Sequence, residues 1–76
     1  MASLRFDLRS AMQDFEARTG VRQTYESLAD RTGFSVDTLK SMASRKGYNM
    51  TLKVLAALGE ALKCDPRQHL TWHPDD

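Results

Sequence analysis

His69 and His73 stand four residues apart with Cys64 close by, a set of side chains that could be read as metal ligands. A structural zinc site wants four ligands on converging faces. Here the helix expected around Arg67 ends near Leu70 and Pro74 blocks its continuation, so the two imidazoles share no helical face. No metal and no other cofactor is expected. Cys64 lies between an apolar run and Asp65 with no base to take its proton, which reads as a packed thiol closing a helix and not as a nucleophile. Acidic residues are scattered and no glycine-rich phosphate loop is present, so no constellation for catalysis emerges and the chain is not expected to be an enzyme. The chemistry that remains is charge. The chain as a whole carries 11 basic against 10 acidic residues, a net +1. Between Ser35 and Lys53, however, Lys40, Arg45, Lys46 and Lys53 face a single acid, Asp37, a local excess of +3. A basic stretch of this kind attracts phosphate.

The elements that must position those residues are bounded by length. A chain of 76 residues, 41% hydrophobic and 28% charged, fits one domain over 1–76 with one small core. A core of that size contributes only a few kcal/mol, and many such domains gain stability by pairing with a second copy, so a homodimer is expected. The single cysteine allows no internal disulfide and points to a reducing, cytoplasmic setting. No apolar run reaches membrane length and the first residues lack a signal-peptide core, so no membrane partner is expected.

The spacing predicts a first helix over residues 3 to 17, because Leu4, Leu8, Ala11, Met12 and Phe15 recur on one face, with Gly20 as a left-handed stop. Thr24 is placed to cap a second helix in which Tyr25, Leu28, Ala29 and Thr32 share a face, ending at Gly33. Ser35 caps a third, to about Ser44, whose inner arc is Leu39, Met42 and Ala43 and whose other side carries Val36, Asp37, Lys40, Ser41 and Ser44. Residues 45–49, with Gly47 and Asn49, read as a loop. Thr51 then caps an apolar fourth helix through Leu62. Asp65, Pro66 and Gln68 have the form of a cap, a first-turn proline and a capping-box partner, predicting a short fifth helix over 67–70 and a short tail over 71–76. No alternating strand pattern stands out, so the expected fold is all-α with five helices.

Two of these helices, over about 25–44, are joined by the tight turn Gly33, Phe34, Ser35. Such a turn sets the second helix steeply across the first, so that its polar side can enter a major groove. That geometry needs a small residue where the helices meet, a glycine to open the turn and apolar anchors behind the second helix; Ala29, Gly33, Leu39 and Met42 supply them.

Over roughly residues 22 to 70 the sequence resembles the Cro and lambda-repressor-like (xenobiotic response element) helix-turn-helix family of bacterial and phage regulators. Residues 24–33 (TYESLADRTG) look like the family's first motif helix, 35–42 its recognition helix, and 51–62 (TLKVLAALGEAL) its fourth helix, followed by a short polar turn and an apolar Leu70. The resemblance implies a five-helix domain and sequence-specific binding of double-stranded DNA as a transcriptional regulator. A homodimeric repressor on an imperfect palindrome is the expected form. It implies that Val36, Asp37, Lys40 and Ser41 meet base edges. In those roles Val36 packs on a thymine methyl, Asp37 accepts from cytosine, Lys40 reaches guanine or phosphate and Ser41 bonds either base type. Phosphates fall to Arg22, Gln23, Thr24, Tyr25, Arg45, Lys46 and Lys53, which give affinity without sequence information. Leu70 and Trp72 are candidates for a dimer contact.

The sequence departs from the family pattern at Tyr25, where members usually carry glutamine, and at Asp37, an acid that would repel a phosphate but favours a helix N-terminus. With the near-neutral total charge, these departures leave open a second reading. In it the same fold binds a partner protein, as an antitoxin or inhibitor does, through Tyr25, Val36 and Asp37.

Overall fold

The computed structural model describes residues 2–44 and 50–74. Among them the chain forms, in order, strand β1 (Ser3–Phe6), helices α1 (Leu8–Thr19), α2 (Tyr25–Thr32), α3 (Val36–Ser44) and α4 (Leu52–Ala61), a 3₁₀ turn (Pro66–His69) and strand β2 (Leu70–His73).

Local chemistry accounts for most of these boundaries. Asp7 accepts the Ser10 N–H at 3.0 Å to open α1, and Gly20, at φ 74°, closes it by donating to the Glu16 carbonyl. Thr24 and Ser27 form a reciprocal capping box at α2. Ser35 Oγ accepts the Thr38 N–H at 3.1 Å, and Thr51 Oγ1 accepts that of Val54 at 3.1 Å. Each such cap satisfies a donor the helix cannot satisfy itself and stabilises it by about 1 kcal/mol.

One core unites the helices. Leu8, Ala11 and Phe15 from α1, Leu28 from α2, Leu39 and Met42 from α3, and Leu58 with Leu62 at the end of α4 are buried together. Full burial of each leucine is worth about 1.5–3 kcal/mol. The far end of α4 is closed from outside itself. Its last turn holds no basic residue, and its free carbonyls are met by arginines of α1 and α2: Arg18 donates to Leu62 O at 2.9 Å and to Lys63 O at 3.0 Å, and Arg31 to Ala61 O at 3.3 Å. Arg31 also lies 5.6 Å over the Phe15 ring. Gly59 is buried on α4 because the chain folds back against it; a Cβ there would sit 2.8 Å from Pro66 Cδ and 3.0 Å from the Cys64 carbonyl. Burial raises the Cys64 thiol above its usual range, as expected of a packed thiol at a helix end.

The all-α, five-helix expectation is corrected at both ends of the chain. Residues 3–6 are not the first turn of α1 but a strand, antiparallel to β2 with Leu4 opposite Trp72 and Phe6 opposite Leu70. Leu4 and Leu8 stand four apart, which mimics a helical face, yet Asp7 caps the helix only at Leu8 and the stretch before it pairs with the other end of the chain. The expected fifth helix is a single 3₁₀ turn in which Asp65 accepts from Arg67 N–H, with no capping-box role for Gln68. Leu70 leaves it in extended conformation, and the expected tail begins as β2. The Asp7 N–H donates to His69 O at 2.9 Å, joining the start of α1 to the 3₁₀ turn beside the sheet.

Candidate nucleic-acid interface

The α2–α3 unit is built as its sequence dictates. Gly33, at φ 82°, takes the left-handed conformation that ends α2, and its N–H donates to Ala29 O at 2.8 Å. Thr32 Oγ1 accepts the Phe34 N–H at 3.2 Å and so steadies the turn. α3 then leaves with Leu39 fully buried and Met42 nearly so, while Asp37, Lys40 and Ser44 are exposed and Val36 and Ser41 half-buried at the edges of the outward arc. All four side chains expected at base edges therefore lie together on one side of one helix. Ser44 lies near the centre of the same arc; its helical angle was the available signal for it. Its hydroxyl donates to Lys40 O at 2.8 Å.

The residues expected at phosphates divide. Arg22 and Thr24 are exposed, Tyr25 is half-buried against the core, and Lys53 is exposed in the first turn of α4. Arg45 and Lys46 lie outside the described residues. Gln23 is only 6% exposed, and its Nε2 is buried with no hydrogen-bond partner among the described residues. It stands in the wall of a hollow and not on the open surface.

The start of α2 opens onto a hollow of about 510 Å³, bounded by Arg9 and Gln13 of α1 and by Arg22, Gln23 and Tyr25. Thr24 takes the Ser27 N–H, leaving the first-turn N–H groups of Tyr25 and Glu26 directed out of the helix end, where an anion is favoured. Glu16 and Glu26 also line this hollow and offset the two arginines. Sequence reasoning did not place Arg9 and Gln13 beside Arg22 and Tyr25, because only the packing brings this part of α1 to the same hollow as the start of α2.

Leu70 is half-buried, and Trp72 is 63% exposed beside Leu4 at 58%. Among the described residues no group of three or more His, Cys, Asp or Glu side chains is arranged to hold a metal ion. His69 instead packs edge-on to Phe6, with Nδ1 3.4 Å from Ser10 Oγ. No helix is long and apolar enough to cross a membrane among these residues.

A family model described as a Cro/C1-type HTH DNA-binding domain matches residues 13–75. That class is regulatory and not enzymatic. No curated protein matches the chain.

Proposed function

The chain belongs to the Cro/C1-type HTH DNA-binding family, and from that premise we propose that it is a sequence-specific repressor that binds an imperfect palindrome as a homodimer. The whole chain acts as one helix-turn-helix domain. α3 lies in a major groove, with Val36, Asp37, Lys40 and Ser41 at base edges and Arg22, Thr24, Tyr25 and Lys53 on the flanking phosphates. Arg45 and Lys46 complete the phosphate set. Trp72, with Leu70 beside it, supplies the contact between the two copies.

The observation that carries this reading is the division of α3. Leu39 and Met42 are turned into the core against Leu28, while Asp37 and Lys40 are open to solvent on the opposite side. A recognition helix needs this arrangement, because its anchors must be buried for its reading face to be held rigidly.

Selection of bound duplexes from a random pool tests it. Two related half-sites about one helical turn apart are expected. Binding of the selected duplex should weaken steeply with salt, because phosphate neutralisation releases counterions. Affinity that does not change between low and physiological salt would overturn the reading. Co-purification of a protein partner, with no duplex retarded at low salt, would replace it with the protein-binding alternative.

A further inference from the structure

A second hollow, of about 480 Å³, lies between the last turn of α3 and the face of the two-stranded sheet that carries Arg5, Thr71 and His73. Its polar walls are Arg5, Asp7, Arg9, Ser44, Thr71 and His73. We propose that this hollow seats a phosphate of the DNA backbone, with the Arg9 and Arg5 guanidinium groups as its cationic walls. The inference rests on the reading of α3 as a recognition helix and extends it to residues that neither the motif nor the charge pattern singled out.

Three observations support it. Ser44 belongs to both surfaces: it lies near the centre of the outward arc of α3 and also forms a wall of the hollow, so a strand running past the end of α3 meets the opening. Arg9 is exposed and makes no hydrogen bond or ion pair within the described residues, so its donors are not committed elsewhere. It also borders the hollow at the start of α2, which makes one rim continuous from the N-terminal end of α2 to the sheet. The donor chemistry is the third. Arg9 and Arg5 both border the hollow, and the one acid among its described walls, Asp7, already accepts the Ser10 N–H through Oδ1.

A guanidinium presents a planar fork of donors that fits two phosphate oxygens. Thr71 Oγ1 is engaged with His73 Nε2 at 2.9 Å, which fixes the ring at the mouth of the hollow. The Ser44 hydroxyl is used by Lys40 O, so Ser44 shapes the opening and does not donate.

The test uses the full chain and a duplex selected by it, with binding measured across a salt series. Arg9→Ala should weaken the selected duplex and an unrelated duplex to a similar extent, by roughly 3- to 10-fold, and flatten the dependence of log Kd on log salt by about one. Arg9→Lys should restore much of the slope. Ser44→Asp, which places a negative charge at the mouth without touching the core, should also weaken both duplexes. Circular dichroism and melting of each variant matching the parent chain would assign the loss to the contact. If Arg9→Ala and Ser44→Asp keep the parental affinity and slope while Lys40→Ala loses the selected duplex, the hollow carries no phosphate and the recognition-helix reading stands. If the parent chain retains no duplex at all, the recognition-helix reading itself fails.

Discussion

The guanidinium of Arg18, in α1, donates from Nη2 to the carbonyl oxygen of Leu62 at 2.9 Å, across 44 positions of sequence. Its Nε is held at the same time by Asp14 at 2.8 Å, so one side chain of the first helix closes the last turn of the fourth. Lys63, which follows, adopts φ 50°, a left-handed conformation that costs a non-glycine residue energy.

Arg18→Ala should therefore destabilise the domain by about 1–2 kcal/mol, since charge-assisted hydrogen bonds to helix-end carbonyls are lost at a partly solvated position. Urea unfolding should show a lower midpoint with an unchanged slope. An unaltered midpoint would mean that water replaces Arg18 at no cost. Lys63→Gly should raise the midpoint, by up to about 1 kcal/mol, because it relieves the left-handed strain.

Gly59→Ala sets two effects against each other. Alanine in a helix interior gains about 1 kcal/mol over glycine, but the added methyl would meet the Pro66 ring at 2.8 Å and the Cys64 carbonyl at 3.0 Å. A ring and a backbone carbonyl yield little, so the clash wins and a net loss of about 1–3 kcal/mol is expected. Combining it with Pro66→Ala should recover part of that loss, and strict additivity of the two changes would remove the steric explanation.

Lys40→Glu should abolish specific binding while leaving stability nearly unchanged, because Lys40 is exposed on α3 and its replacement disturbs no core contact. Lys40→Ala should cost about 1–3 kcal/mol of binding and relax discrimination at one base position in each half-site. Titrating the parent and variant chains into the selected duplex and its single-base variants measures both effects. Equal losses on every duplex would make Lys40 a phosphate contact instead.

The acid limb of stability should carry a contribution from Asp65. Hydrogen bonds from the Arg67 side chain and N–H hold its carboxyl below the usual range. A depressed folded-state pKa stabilises above the unfolded value of about 3.9 and loses that contribution as pH falls through the folded value. Asp65→Asn should therefore lower the melting temperature at neutral pH and make little difference at the acid end. Parallel melting curves at every pH would contradict this. The pair is exposed, so the effect is small.

The parts of the fold legible in the sequence are those decided within a few residues. Thr24, Ser35 and Thr51 cap the helices they precede, Gly20 and Gly33 stop the helices they follow, and Leu28, Leu39 and Met42 are buried as their spacing implies. What was hidden depends on distant partners. β1 looked helical because Leu4 and Leu8 fit a helical repeat, while its strand partner lies about 66 positions away. The site divides in the same way. The outward arc of α3 follows from 100° per residue, but the burial of Gln23 and the place of Arg9 on the rim of two hollows depend on where α1 crosses its neighbours.

The pairing of Ser3 with His73 brings the strand near the chain's beginning back beside the one near its end, so the backbone traces a nearly closed ring. Joining those two strands through a short linker, with new ends opened elsewhere, would restrict the denatured chain without altering the surface carried by α3. The topology thus separates the place where the polypeptide could be cut and rejoined from the helix proposed to read its target.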